Sequence, residues 1–474
     1  MKNITRRDSL KLSASLLAGA TATACSSDKK MSGMGDMPTQ RAIFEAGEVP
    51  IERSGWAAHP GTLPPYPKLL NDVDADVVII GAGLAGCSLA LHLAEQGVKA
   101  VVLEQHQPGW GASGRNAGHV LPTVRDIAHI QQFADGGKAL FELFQQHHTI
   151  PFDLSKKYAI DCDAEQTGYL NAMGSKDAFD DQVKASKFWQ QQGQSIDFLD
   201  RAEMEQATGS AYYGYGVRYN SGGRVNPYLF SNGMLSAAVG LGAQAYGESQ
   251  ALTIAKQNTR WQVTTAQGSV TAARVIYCTN AYASGVTQQL ADTCYPMTAY
   301  ALCTKPLPED LAGSIMPSRA TLAQAPLDLH PLVIDRHNRI ITASMPSTSQ
   351  PENGPWHFKH HLSWLHRTWP QLKEANIELE HYWTGRVAMR DREFPGVYQL
   401  DDGVYGLMHF NAWGNVMAPL MGKVIAGALA SDTMHQLPFP IEPSVSVANP
   451  NKKSLIIRSM LIPASRVGQR FGFL

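Results

Sequence analysis

Charge is scarce in this chain. Charged residues make up 17% of it and nearly cancel, leaving a formal net charge of -1. A typical soluble protein carries about 25%. So balanced a chain lacks the basic footprint of a nucleic-acid binder. Few charges also leave room for large buried surfaces. There are no internal repeats, and low complexity is confined to residues 26–45. No spacing among Cys25, Cys87, Cys162, Cys278, Cys294 and Cys303 matches a zinc site. Cys87 and Cys278 sit in apolar runs and read as small buried hydrophobes. An exported chain can form a disulfide, but nothing in the spacing says which. At 474 residues the chain exceeds one small core, and two interleaved domains are expected.

The N-terminus reads as targeting. Thr5-Arg6-Arg7-Asp8-Ser9-Leu10-Lys11 carries a twin arginine, and a modestly apolar run, Leu10 to Ala24, follows it. That run is too short and too rich in Ser, Thr and Ala to span a bilayer, which takes about 20 apolar residues. Twin-arginine export moves proteins that have already folded, which suits a chain loaded with cofactor in the cytoplasm. The expectation is a periplasmic protein. Ala22-Thr23-Ala24 is a small-x-small cleavage site, and Cys25 directly after it resembles a lipoprotein acceptor. Soluble and lipid-anchored forms both stay open.

What is present begins with Asp76-Val77-Val78-Ile79-Ile80, a buried strand. Gly81-Ala82-Gly83-Leu84-Ala85-Gly86 turns the chain, helical spacing runs to Gln96, and Lys99–Leu103 is a second strand ending at Glu104. This is a dinucleotide fingerprint in full context. Gly81 allows the turn, Gly83 lets backbone approach a pyrophosphate, and Gly86 lets helix and strand pack closely. The helix N-terminus favours an anion. Glu104, 18 residues after Gly86, suits ribose hydroxyls and disfavours a 2′-phosphate. FAD and NAD both fit so far.

Further along, 126–150 reads as helix, 229–242 as helix, 261–265 and 269–278 as strands, 331–344 as strand pieces around a turn, and 416–430 as a last apolar helix. His357 and His361 are spaced i, i+4, but Phe358 stands where a zinc hydrolase carries Glu. A solvated helix face is therefore expected, with no metal.

The loop Gly109–His119, GWGASGRNAGH, favours a flavin. Gly111, Gly114 and Gly118 permit close backbone approach. Ser113 and main-chain amides suit phosphate, and Arg115 and Asn116 are fixed donors beside a ring. Together with DVVIIGAGLAGCSLALHLAEQGVKAVVLEQ, this loop resembles the FAD-dependent oxidoreductases of the D-amino-acid/glycine oxidase superfamily, in particular the gamma-glutamylputrescine oxidoreductase branch. The likeness continues through Gly222–Pro227, Glu248–Ile254, Val275–Tyr282 and Trp383–Arg386, and covers about residues 56–435.

The resemblance implies an α/β fold: a Rossmann-like FAD-binding domain in discontinuous pieces (71–128, 205–285, 395–435) and a mixed or antiparallel-sheet substrate domain (129–204, 286–394). A signal segment (1–25), a tether and approach (26–70) and a C-terminal tail (436–474) complete the chain. It implies non-covalent FAD held by Gly81, Gly83, Gly86, Glu104, Gly111, Ser113, Arg115, Asn116, Ala117, Ala251 (facing adenine), Thr279, Gly414 and Asn415. A covalent link at His119 is disfavoured. The implied reaction is oxidation of an amine or amino-acid C–N bond: hydride passes to flavin N5 and the imine hydrolyses. Oxygen, a quinone or a small electron carrier accepts the electrons.

Arg339 is implied as a carboxylate clamp, with Tyr300, Trp413 and Asn415 at the flavin face; Arg339 and Asn415 are the catalytic candidates. The sequence departs from the family pattern in two places. Ala117 replaces a frequent Gly. Asn411 and Val416 replace glycines, and Asn415 replaces His, in the last FAD loop. A rival of another class is therefore an FAD-binding protein without oxidase chemistry that acts as a binding or assembly partner. An NAD dehydrogenase leaves Gly109–His119 unexplained.

Overall fold

The computed structural model describes residues 50–58, 63–325, 328, 330–346, 353–411 and 413–470. The signal segment, Cys25 and the tether up to residue 49 lie outside them.

Two sheets organise the chain. The first runs, edge to edge, through 441–442, 396–401, 404–408, 269–277, 73–80, 100–103 and 244–246. Its centre is parallel: β1 (Val73–Ile80) lies between β2 (Ala100–Leu103) and β3 (Ser269–Tyr277), with Ile79 opposite Val102 and Ile276. Val78 and Ile79 are both fully buried, although they point to opposite faces. Two-sided cover explains the unbroken apolar run in β1.

One cover is α1 (Leu84–Glu95), buried from Leu84 through Ala94 because it packs between α2 (Pro227–Gly240) and α3 (Gly414–Ala430). A Cβ at Gly422 of α3 would stand 2.8 Å from the Leu89 nitrogen, so the two helices touch backbone to backbone. The N-cap of α2 is Asn226, whose side chain accepts from the Tyr228 and Leu229 N–H groups.

The second sheet runs 379–389, 295–304, 340–344, 332–334, 321–324, 169–173, 215–219 and 196–199. It is antiparallel except where 321–324 meets 169–173.

Several boundaries differ from the sequence reading. Residues 215–219 pair within the second sheet, so the piece drawn from 205 starts too early. In the C-terminal segment Ile441–Glu442 joins the first sheet and 450–470 is helical. From Pro50 the N-terminal segment is packed, with Trp56 1% exposed. The helix expected over 126–150 is broken into Ile127–Ile130, Lys138–His147 and a piece starting at Ile150. Gly136 and Gly137, at φ +72° and +77°, cause the first break. Among the described residues five cysteines are free and buried.

Candidate active site

A cavity of about 2480 Å³ lies between the two sheets. Drug-sized ligands fill roughly 300–1,000 Å³, so this space fits a dinucleotide and a second molecule. One end is walled by the carboxyl ends of β1 and β2, where ligands bind in open parallel sheets.

Gly81 takes φ +108°, which only glycine adopts without strain. A Cβ on Gly86 would stand 2.0 Å from the Gly81 carbonyl oxygen, and one on Gly83 would stand 2.7 Å from Ser113 Oγ. The glycines therefore clear the start of α1, which opens on the cavity. Ser113 Oγ accepts the Leu84 N–H at 2.9 Å, tying Gly109–His119 to that helix start.

Glu104 accepts from the Ala82 N–H (2.8 Å) and the His106 N–H (3.0 Å). Burial raises its carboxyl pKa, and the backbone N–H donors oppose this. A carboxylate has about four acceptor positions, so capacity for a ligand hydroxyl remains. Glu104→Gln turns an acceptor oxygen into a donor facing a backbone N–H. The expected result is roughly 5- to 150-fold weaker FAD retention, at about 1–3 kcal/mol, checked by flavin release during stepwise dilution.

The Gly109–His119 loop is fixed from several sides. Arg115 is 4% exposed, stacks over Trp110 at 4.7 Å, and donates to the carbonyls of Trp110 (2.7 Å) and Thr384 (3.1 Å). Trp383 Nε1 donates to the Arg115 carbonyl (2.9 Å) and Trp56 Nε1 to the Asn116 carbonyl (2.8 Å). Asn116 and Asn415 exchange amide hydrogen bonds at 3.0 and 3.1 Å, and Asn415 also donates to the His119 carbonyl at 2.8 Å. Asn415, expected as a catalytic candidate, lines the cavity but its amide N–H groups are spent on bridging loop and α3. Its place is positioning, a correction to that expectation. Asn411 sits at φ +46°, a left-handed conformation that Asn tolerates, and donates to the carbonyls of Arg392 and Glu393.

Gly111, Ala117, Ala251, Thr279 and Gly414 all line the same cavity. Thr279 Oγ1, Trp413 Nε1 and His119 Nε2 are buried without a hydrogen-bond partner among the described residues. All three residues line the cavity, so a bound ligand is within reach of these groups. Enclosure pushes the His119 imidazole down to about 3, so it is neutral near pH 7.

The expected substrate arginine is elsewhere. Arg339 is 1% exposed, does not line the cavity, and is bound to Asp335 (2.7 and 2.9 Å) and the Gly55 carbonyl (2.9 Å). A guanidinium committed to a buried carboxylate cannot also clamp a substrate, so the expectation is corrected. Arg125 does open on the cavity, over the Trp413 ring at 4.7 Å. Asp328, an exposed residue, borders the same space. Neither carries a sequence signal, since both lie in irregular segments.

Tyr300 lines the cavity and is hydrogen-bonded to His361 Nε2 at 2.8 Å; His361 Nδ1 meets His330 Nδ1 at 3.2 Å. His357 and His361 are 0% exposed, which corrects the expected solvated face. Both pack against the Tyr300 ring instead.

The family model described as FAD dependent oxidoreductase (DAO) matches residues 76–428. The chain belongs to this family. It is 30% identical to the gamma-glutamylputrescine oxidoreductase of Escherichia coli (strain K12) over 387 residues, 80% of this chain and 89% of that one. Among solved structures it is similar to glycine oxidase from Bacillus cereus ATCC 14579 (TM-score 0.60, 20% identity, 76% of this chain and 95% of that one). It is also similar to L-proline dehydrogenase from P. horikoshii (TM-score 0.62, 18% identity, 77% and 96%). This flavoprotein is an oxidoreductase with FAD as its cofactor, on an α/β Rossmann-like FAD-binding fold with mixed sheets. The glycine cradle and the orphaned Thr279 hydroxyl fit that cofactor.

Proposed function

We propose that this family member oxidises the C–N bond of a small amine or amino acid. The observation that carries this reading is a single cavity with a glycine cradle at one end and Arg125, Asp328 and Tyr300 toward the second sheet. Gly81, Gly83 and the start of α1 hold the pyrophosphate, Glu104 the ribose, and Ala251 borders the adenine. Gly414, at the open N-terminus of α3, and the loop held by Arg115 and Asn116 border the ring. When bound, FAD supplies the hydride acceptor.

The chain's own work is to orient substrate and exclude water. Arg125 is a fork-shaped partner for a carboxylate. Asp328, facing the same space, is a partner for an ammonium group. Neutral His119 avoids placing a cation beside the ring. FAD is held non-covalently: Cys278 lines the cavity as a thiol whose pKa burial raises far above neutral. The twin-arginine segment supports a periplasmic protein. Oxygen, a quinone or a small electron carrier takes the electrons.

The rival reading, FAD binding without oxidation, rested on the altered last loop. That loop keeps a glycine-like left-handed turn at Asn411 and a bonded Asn415, which favours the enzyme. The test is anaerobic mixing of the yellow protein with a panel of amines and amino acids. Loss of flavin absorbance with one chemical class is expected. A flavin that dithionite reduces but no panel member does would favour the rival.

A further inference from the structure

The second sheet has a gap, and the C-terminal helix fills it. The strand Tyr295–Thr304 pairs with 379–389 along its whole length, but with 340–344 only from Tyr300 to Cys303. From Tyr295 to Ala299 it has no strand on that side among the described residues. A helix takes the place of the missing strand. It runs through Pro450–Ile456, a widened turn at Ile457–Leu461, and Ile462–Arg470, outside the stretch matched by the family model. Two cations pin it. Lys453 pairs with Asp391 at 2.8 Å and lies over the Tyr295 ring at 5.4 Å. Arg466 donates to Ser344 Oγ (3.2 Å) and the Met345 carbonyl (2.7 Å), where the strand 340–344 stops.

The filled gap is a wall of the large cavity. Ile457, Leu461, Ile462, Ala464, Ser465 and Val467 line it, and Val467, 55% exposed, stands at its rim. This row offers hydrocarbon and one hydroxyl. Lys453, Arg458 and Arg466 do not line the cavity, so the helix puts no charge into it. Ala299 and Tyr300 border the same space. Ala299 lies opposite Gly385, where a Cβ would stand 3.3 Å from Arg115 Cβ. The helix and the loop that borders the ring thus meet one cavity across two adjoining strands.

Hydrocarbon lining favours hydrocarbon: each methylene buried is worth roughly 4-fold in binding. A charge set against it loses water and gains no partner. We propose that Ile457, Leu461 and Val467 select the substrate. They hold an uncharged, apolar end of the amine or amino acid and disfavour a second charge there. The inference rests on the C–N oxidation proposed above and narrows its substrate class.

The test mixes the holoenzyme anaerobically with matched pairs that differ by one terminal ammonium: pentylamine against cadaverine, and norleucine against lysine, in both enantiomers. The uncharged member is expected to reduce the flavin with kred/Kd at least ~10-fold higher. Leu461→Ala should raise Kd for that member by about 10-fold and leave kred unchanged, because such a contact is made equally before and during reaction. Val467→Glu changes an exposed position, which the fold tolerates, and should narrow the preference by about 5-fold or more. Flavin content equal to the parent's shows that each variant has folded. A preference for the charged members, or one that both variants leave unchanged, overturns the proposal and leaves the reaction standing. If no amine or amino acid reduces the flavin, the reaction itself fails and this inference falls with it.

Discussion

Gly86→Ala is expected to give a protein without flavin. The added methyl carbon would stand 2.0 Å from the Gly81 carbonyl oxygen and 3.3 Å from Ile79 Cγ2, so backbone has to move. Overpacking a tight core costs about 1–3 kcal/mol, sometimes more. Here the displacement falls on the turn that clears the start of α1, so cofactor loading fails before the fold does. The absorbance spectrum after purification, and reconstitution with added FAD, measure this. Gly427→Ala is the control: a Cβ there meets nothing within 4 Å. Replacing a helical glycine gains up to ~1 kcal/mol, and colour should be kept. A yellow Gly86→Ala protein would remove the pyrophosphate from the place assigned to it.

The second large effect is on stability. Arg339→Ala should destabilise the fold by about 3–5 kcal/mol, because it strands the buried Asp335 carboxylate. Replacing both partners, Arg339→Met with Asp335→Leu, should recover much of that loss, since a buried pair exchanged for apolar groups is often neutral. Urea unfolding of the parent and the two variants reads the difference. Folded Arg339→Ala enzyme should keep the KM of the parent. An unchanged unfolding midpoint with a raised KM would return Arg339 to the substrate.

These two residues show what sequence can and cannot carry. The glycines, Glu104 and the loop from Gly109 sit in one short stretch, and local turn chemistry fixes their geometry. The unit could be read because its constraints are contiguous. Arg339 and Arg125 are separated by burial, which depends on partners far along the chain: Gly55 for one and Trp413 for the other. Nothing local distinguishes a sealed arginine from an open one. The His357–His361 face was misjudged for the same reason, because its cover is Tyr300, on a strand of the second sheet. The break at Gly136–Gly137 was available in the sequence, but apolar periodicity on either side outweighed it.

Two indole groups latch the Gly109–His119 loop through its main-chain carbonyls. Trp56 comes from the first packed segment and Trp383 from the strand at the far edge of the second sheet. One latch is translated early and the other late. The enclosure is therefore finished only when nearly the whole chain is available. If the twin-arginine segment exports the folded chain, as proposed above, the prosthetic group travels as cargo sealed aboard before departure.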